Sequence, residues 1–554
     1  MPQPIQTSEA PNVSRLDHLG IVAGICDEIG LVALIDKLIP SAAQRKVSFG
    51  IAVKAMIING LGFVQRTLYM TPTFFKDKPV AHLLGEDIKA EDLHDDCLGD
   101  TLDALYKYGV SKLFFIISYY AHLCFNLSVI SKHLDGTSLS VHGKGSTVED
   151  GGVKVVRGYN KQGQHSLAQV VLQLVSNGQS GVPLFMSVHD GNEVDKNSFP
   201  KVIANYKKEL AGAGGEDEGI WVADNALYTS ENINKLSKTI WLTRAGHGLK
   251  WVKRAYLASE LASTWHTFDE HIGYRYQVIE TNYGGVAQVA LVIRSEQKYV
   301  KDVRNLEKRL LKAHLSYKKA VDKLSKQSFE SEKQALQAAQ KLSKKGSAYY
   351  ELSELEVVSQ GHYQRGRRSA DAKPIRYSYQ VKTEIVKKTE VIKAAEAALG
   401  KFVLVSNEVN KGKKGLKLLK RSADQLLTLY KNGQQKVERG FRFIKDPLFM
   451  LSHLFLKLPR RIIALSMVMC LCLLIYCLAE YKLRKSLSDT ADTLANQVGK
   501  QVSNPTMRWI FLQFKGIHLQ SIAGQESLLL LGLRAEHKKV LQHLGTTVSA
   551  YYGV

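Results

Sequence analysis

Cysteine is scarce and unpaired in this sequence: Cys26, Cys97, Cys124, Cys470, Cys472 and Cys477 are scattered, three of them inside one apolar run, with no CxxC pairs and histidines at zinc spacing. A small disulfide-stapled scaffold is excluded, and the six thiols read as reduced packing residues of an intracellular protein. The opening residues, MPQPIQTSEAPNVSRL, lack the basic-then-apolar order of a secretory signal. No internal repeat is evident, and no segment is long and biased enough to read as disordered. Acidic residues are in short supply, 52 against 75 Lys and Arg, a net charge of +23. That surplus attracts polyanions and neutralises phosphates with release of counterions, which makes nucleic acid the first partner to expect.

Long hydrophobic runs are missing too, with one exception. Ile462 to Ala479 is 18 residues broken only by Ser466 and Tyr476, at the low edge of a transmembrane span. Arg460 and Arg461 before it and Lys482, Arg484 and Lys485 after it are basic on both sides and give no orientation bias. A membrane-anchored polyanion-binding protein would use such a run as a span, and a large soluble protein would bury it. Everything around it reads soluble, so a buried helix and no membrane are expected.

Residues 1–125 show helical punctuation: Leu19, Val22, Ala23, Cys26 and Ile29 recur at three- and four-residue steps, as do Val53, Met56, Ile57, Gly60 and Leu61. This helical amino-terminal domain is either a packing domain or a module that grips a DNA end. Over 126–270 the texture changes to short β-branched runs separated by Gly, Asn and Asp, with SFPKVIANYKKEL as a helix between them. Three hairpin-joined strands, then helix, strand, helix and strand, is the order of an α/β protein with a ribonuclease H-like core.

Residues 271–398 interrupt that core. Tyr274 to Ile293 reads as a β-hairpin about Asn282 to Gly285, and Val303, Leu310, Tyr317 and Leu324 then recur seven apart as an amphipathic seam. A second helix about Leu336, Ala339 and Leu342 folds back to make a helical hairpin, with fifteen Lys and Arg against six Asp and Glu between Arg294 and Lys345. That hairpin is either a basic DNA-contacting element or a solvated spacer, and a scaffold built on its seam is a further, weaker reading. An arginine-rich loop (Arg365, Arg367, Arg368) and a basic turn (Lys411, Lys413, Lys414) follow. Residues 399–485 return to the core with the strand-like KFVLVSNE, a helix from about Ser422 to Ile444 and the apolar helix, and 486–554 form a carboxy-terminal tail region. Residues 1–14 and 486–506 are expected to be mobile.

Asp135 lies near a strand start and Asp224 ends the strand Ile220 to Ala223. Carboxylates on neighbouring strands repel each other unless a divalent cation bridges them, so the two form a metal site or are unrelated turn aspartates. Asp190 and Asp195 compete as ligands, although DGN reads better as a turn. Glu438 sits on a helical face with Phe441, Arg442 and Lys445; a plain i,i+4 ion pair there is worth about 0.3–0.5 kcal/mol.

Six segments together carry a wider likeness. HLDGTSLSVHG, MSVHDGNEVD, WVADNALYTSENI, KFVLVSNE and YKNGQQKVERGFRFIKDPLF resemble the blocks of DDE transposases of bacterial insertion sequences, in the branch with a Tyr-Arg-Glu-Lys signature. RLDHLGIVAGICDEIG resembles the extra amino-terminal helical domain of one group in that branch, so the resemblance covers nearly the whole chain. It implies that Asp135, Asp224 and Glu438 are the catalytic, metal-binding carboxylates and that Lys445, helped by Arg439 or Arg442, binds DNA. Two signature positions differ: the arginine falls on Gln434 and the tyrosine on Lys431, beside Tyr430.

The resemblance also accounts for the 214-residue separation of Asp224 and Glu438, since such transposases carry an insertion there. It implies two Mg²⁺ ions as cofactor, with Mn²⁺ able to substitute, hydrolysis and then transesterification of phosphodiesters, and no covalent protein intermediate. The partners implied are double-stranded DNA with terminal inverted repeats, target DNA, and a second copy in a homodimeric synaptic complex. The location implied is the bacterial cytoplasm, at the nucleoid. A catalytically inactive DNA-binding relative is the alternative.

Overall fold

The computed structural model describes residues 12–63, 68–141, 152–160, 163–164, 166–262, 264–363, 365, 373–411, 417–446, 458–521 and 528–554. Most of the 1–14 segment expected to be mobile, Arg367 and Arg368 of the arginine-rich loop, and Lys413 and Lys414 of the basic turn lie outside them. Two compact units are present: 1–243 with 283–286 and 426–554, and 244–282 with 287–425.

The first unit begins with a helical layer, α1 (Leu19–Glu28), α2 (Leu31–Leu38), α3 (Phe49–Gly60), α4 (Asp95–Tyr108) and α5 (Val110–Cys124). Helices α1 and α3 are apolar almost all round, so they are buried on most sides, as a helix without a polar face must be. Five strands follow: β1 (Ser131–Val141), β2 (Ala168–Asn177), β3 (Pro183–His189), then helix α6 (Asp195–Gly212), β4 (Ile220–Ala223) and β5 (Trp241–Ala245). Their spatial order is β3-β2-β1-β4-β5. β1 to β3 form an antiparallel meander, and β4 and β5 run parallel to β1. Every residue of β1 is buried, as expected of a central strand covered on both faces.

In the second unit β6 (Tyr274–Tyr283) and β7 (Val286–Ser295) occupy the predicted hairpin. Two helices, α7 (Glu296–Ser325) and α8 (Glu332–Lys345), come next, with Leu306, Tyr317, Val321 and Leu324 buried along α7. Part of that seam packs on a two-stranded sheet, β8 (Glu356–His362) with β9 (Arg376–Lys382), through Leu324, Ala335, Ala339 and Val381. Strand β10 (Lys401–Ser406) pairs antiparallel with β7. The Lys401 ammonium is fully buried, and it donates to Ser259 Oγ at 2.8 Å and pairs with Glu260.

The first unit is completed by α9 (Ala423–Ile444), α10 (Pro459–Asp489), α11 (Met507–Gln513) and α12 (Ala535–Leu544). α10 contains the apolar run and is the one helix among the described residues long and apolar enough to cross a membrane; 89% of its apolar window is buried inside the protein. It packs against α1, α3, α4, α5 and α12. Closeness is enforced by small residues: a Cβ on Gly60 would lie 2.8 Å from Cys472 Sγ. Each fully buried Leu or Ile on this helix contributes about 1.5–3 kcal/mol. At its first turn Arg460 and Arg461 both bond Asp103, which holds that carboxyl below the usual range.

The last residues fold back on the first. Strand residues Asn12–Arg15 pair with His518–Ser521, and the Tyr552 hydroxyl donates to Asp17 O at 2.8 Å and accepts from Ile21 N at 3.2 Å. A Cβ on Gly24 would lie 2.8 Å from the Val548 Cα. All six cysteines are free; Cys124 is exposed, Cys477 half-buried and the others buried.

His18 and His122 are among the buried histidines of this unit and are held as neutral rings. His18 Nε2 donates to Leu61 O and His122 Nδ1 to Ser118 O, both at 2.8 Å, and burial lowers each pKa to about 4. The unfolded chain therefore binds more protons than the folded one below the ordinary value of 6.5, and stability falls as pH drops from 6.5 toward 4. Each ring costs about 3 kcal/mol by pH 4. Thermal melts at pH 7.5 and 5 should show this, and His122→Met should flatten the dependence; an unchanged slope in the variant would count against the buried neutral ring.

A carboxylate-bearing sheet edge as the candidate active site

β1 and β4 run side by side and parallel, with Leu134 opposite Ala223. Asp135 and Asp224 are each the next residue, so the register brings two acids to adjacent strands at the same level. Asp135 is buried, 8% exposed, and its Oδ1 accepts from Gly136 N at 2.8 Å. Asp224 is half-buried just past the end of β4; its Oδ1 accepts from Ala226 N at 2.8 Å, and its backbone carbonyl accepts from Thr243 Oγ1 at 2.7 Å. The turn after β4 is thereby pinned to β5, which fixes where the Asp224 side chain leaves the sheet.

The two faces of β1 are occupied differently. On one face Gly136 meets α6: a Cβ there would lie 2.5 Å from Asp195 Oδ1, which accepts from Gln173 Nε2 at 2.8 Å. Asp190 Oδ1 accepts from Lys154 N at 2.8 Å. Both competing acids thus have structural partners, and Asp195 also suits the first turn of α6, where the helix dipole favours negative charge. On the other face, shared by His133 and Asp135 through strand alternation, lies α9. Its Gly433 sits so close that a Cβ would be 1.9 Å from His133 Cε1.

α9 buries Leu426, Leu427, Gly433, Val437, Gly440, Phe441 and Ile444. Glu438 flanks that stripe and is exposed, as are Arg439 and Arg442; Lys445, one residue past the helix end, is half-buried. Arg439 Nε donates to Gln435 O at 3.3 Å. Among the described residues, the one group of three His, Cys, Asp or Glu side chains with ligand atoms all within 4.8 Å of one another is His94, Asp95 and Asp96. Asp135, Asp224 and Glu438 do not form such a group. His94 to Asp96 is exposed and caps α4, with His94 Nδ1 accepting from Cys97 N at 3.3 Å, so its acids complement a helix N-terminus.

An all-carboxylate set of Asp135, Asp224 and Glu438 suits a hard divalent cation that keeps several waters. The in-register pair of Asp135 and Asp224 fits it: two carboxylates forced to one level of a sheet repel until a cation bridges them.

Three residues of this region carry no signal in the sequence. His133 is buried, and that burial, aided by the neighbouring Lys436, lowers its pKa to about 3. Lys436 reaches across to the carbonyls of Gly178, at 2.9 Å, and Gln179, tying α9 to the β2–β3 turn. Gly433 has the clearest role, since helix interiors disfavour glycine and its presence there marks a close approach.

Residues 133–475, more than half of the chain, match a family model described as "Transposase DDE domain". Residues 11–119 match one described as "Domain of unknown function (DUF4277)". A search of curated proteins finds no match. Among solved structures, a similar chain is that of the "Cryo-EM structure of piggyBac transposase synaptic complex with hairpin DNA (SNHP)", at 9% identity and TM-score 0.35, covering 92% of this chain and 83% of that one.

Proposed function

The chain belongs to the DDE transposase domain family, and from that premise we propose that it cuts DNA at the inverted-repeat ends of a mobile insertion sequence and joins the ends to a target. The observation that carries this reading is the pair of acids, Asp135 and Asp224, one step beyond a register pair on adjacent parallel strands. The strand order β3-β2-β1-β4-β5 supports a ribonuclease H-like core for 126–270 and 399–485.

Asp135, Asp224 and Glu438 are the residues we assign to holding Mg²⁺, two ions in the full site, with Mn²⁺ as a substitute. When bound, the metal activates a water or 3′-hydroxyl and stabilises the leaving oxygen. The chain's own part is positional. The Asx-type bond from Ala226 N engages one Asp224 oxygen and fixes the direction in which the carboxylate leaves the sheet. Arg439 and Arg442, on the same helix as the glutamate, and Lys445, just past its end, hold the phosphate backbone, so that strand position and carboxylate position are set together. The helical domain over 1–125 and the basic α7–α8 pair bind element ends, two copies form the synapse, and the protein works at the bacterial nucleoid.

A catalytically idle, DNA-binding relative is the second reading, favoured by Gln434 and Lys431 at the two signature positions. Full-length protein incubated with DNA carrying the element's terminal repeats and Mg²⁺ should nick at the repeat ends and stop with EDTA. Tight binding of the same DNA with no nick in Mg²⁺ or Mn²⁺ would sink the enzyme and leave the idle relative.

A further inference from the structure

On the flank of α9 next to Glu438, a pocket of about 590 Å³ opens between α9, α10 and the start of α11. Five cations line it: Lys436, Arg439, Arg442, Arg484 and Arg508. Among the described residues two acids face them, and both are engaged. Asp446 pairs with Arg508 at 2.7 Å, and Glu480 pairs with Arg484 at 2.7 Å while accepting from Met507 N at 3.0 Å. Among the described residues of the pocket, Lys436, Arg439 and Arg442 have no carboxylate partner; Lys436 and Arg439 bond backbone carbonyls. Burial and the nearby Arg439 and Arg484 lower the Lys436 pKa, as crowding of cations around a partly buried ammonium must.

The floor is of another character. Phe443 and Tyr476 meet with ring centroids 4.5 Å apart, and Leu473 and Cys477 extend the apolar surface. A bare anion would use the arginines and leave the aromatic wall idle, and an acidic peptide would use neither ring. A phosphate joined to a flat heterocycle uses both, since arginine forks match phosphate oxygens and aromatic faces stack bases. The volume lies in the range of small-molecule sites.

We propose that this pocket binds a nucleotide, with the phosphate between Arg439 and Arg442 and the base against Phe443 and Tyr476. The site is distinct from the three carboxylates and stands even if they prove idle. The nucleotide comes from one of two sources with the same chemistry: a free nucleoside phosphate, or an unpaired nucleotide of a DNA strand.

Calorimetric titration of the full-length protein with dAMP, deoxyadenosine and inorganic phosphate tests it without any strand cutting. The dAMP should bind at least about tenfold more tightly than either fragment, and Arg442→Ala and Phe443→Ala should each weaken it about tenfold. Arg442 is exposed, so its variant keeps the fold, which circular dichroism would verify. Displacement of dAMP by a duplex with an unpaired end assigns the site to the DNA strand, and dAMP binding that such DNA leaves untouched assigns it to a free nucleotide. Equal affinity for phosphate and dAMP, displacement by oligoglutamate, or an unchanged affinity in Arg442→Ala would overturn the proposal.

Discussion

Asp224→Asn should abolish strand cutting while leaving DNA binding intact. The change keeps the size of the side chain and its ability to accept from Ala226 N, so the turn after β4 survives. What it removes is a negative charge from the set proposed to hold a divalent cation. Losing a group outside a ligand set costs about 10–100-fold in metal affinity or activity; losing a ligand itself should cost more, about 10³-fold or beyond in the nicking rate. Asp195→Asn is the matched control. Its carboxylate bonds Gln173 on the opposite face of β1, so nicking should stay within about threefold if stability is preserved. The experiment reads nicking of end-containing DNA in Mg²⁺, and electrophoretic shift of the same DNA in EDTA. Equal losses in the two variants, or none in Asp224→Asn, would remove Asp224 from the metal set.

Gly433→Ala offers a contest between two effects of opposite sign. In an exposed helix interior this change stabilises by about 1 kcal/mol, because alanine has the best helix propensity and glycine nearly the worst. Here the added carbon would fall 1.9 Å from His133 Cε1, a distance no packed structure tolerates, and His133 is held between buried strands. The clash should win: overpacking a buried contact costs about 1–3 kcal/mol, and α9 must lift from the sheet to relieve it. Lifting α9 moves Glu438, Arg439 and Arg442 together, so nicking should fall more than stability alone explains. His133→Ala in the same chain should restore much of both, as expected of two residues in contact. Chemical denaturation and nicking rates of the two single variants and the double variant measure the coupling; additive effects would mean that the two residues do not meet.

How much of this was legible beforehand depended on whether a signal was local. The β6–β7 hairpin could be read because Asn282 to Gly285 is turn chemistry between alternating runs, and Gly284 and Gly285 have φ of 64° and 75°. The seam of α7 could be read because Tyr317 and Leu324 repeat at helical spacing and are buried. Burial of the apolar run was an argument from context, and the helix does lie inside the protein. The placement of α9 over His133 could not be read, since it depends on a glycine whose meaning appears only when the opposing strand is known. Nor could the nucleotide-sized pocket: its residues come from the β2–β3 turn, from α9 and the residues just past it, from α10 and from Thr506 and Arg508, segments with no shared periodicity. Residues 486–554 looked like a tail because their apolar positions are spread over short elements. Met507, Ile510, Phe511, Val540, Leu541 and Leu544 are nonetheless buried.

The seating of Tyr552 and Val548 against α1 bears on how the protein is made. A ribosome delivers helices α1 to α3 long before the segment that closes over them, so their apolar faces wait, half-covered, until Val548 and Tyr552 emerge. A chain truncated before Val548 and Tyr552 would carry all three acids and yet have an open core. Chaperones and proteases would meet that chain first, which makes translation through Tyr552 a condition for any activity toward DNA.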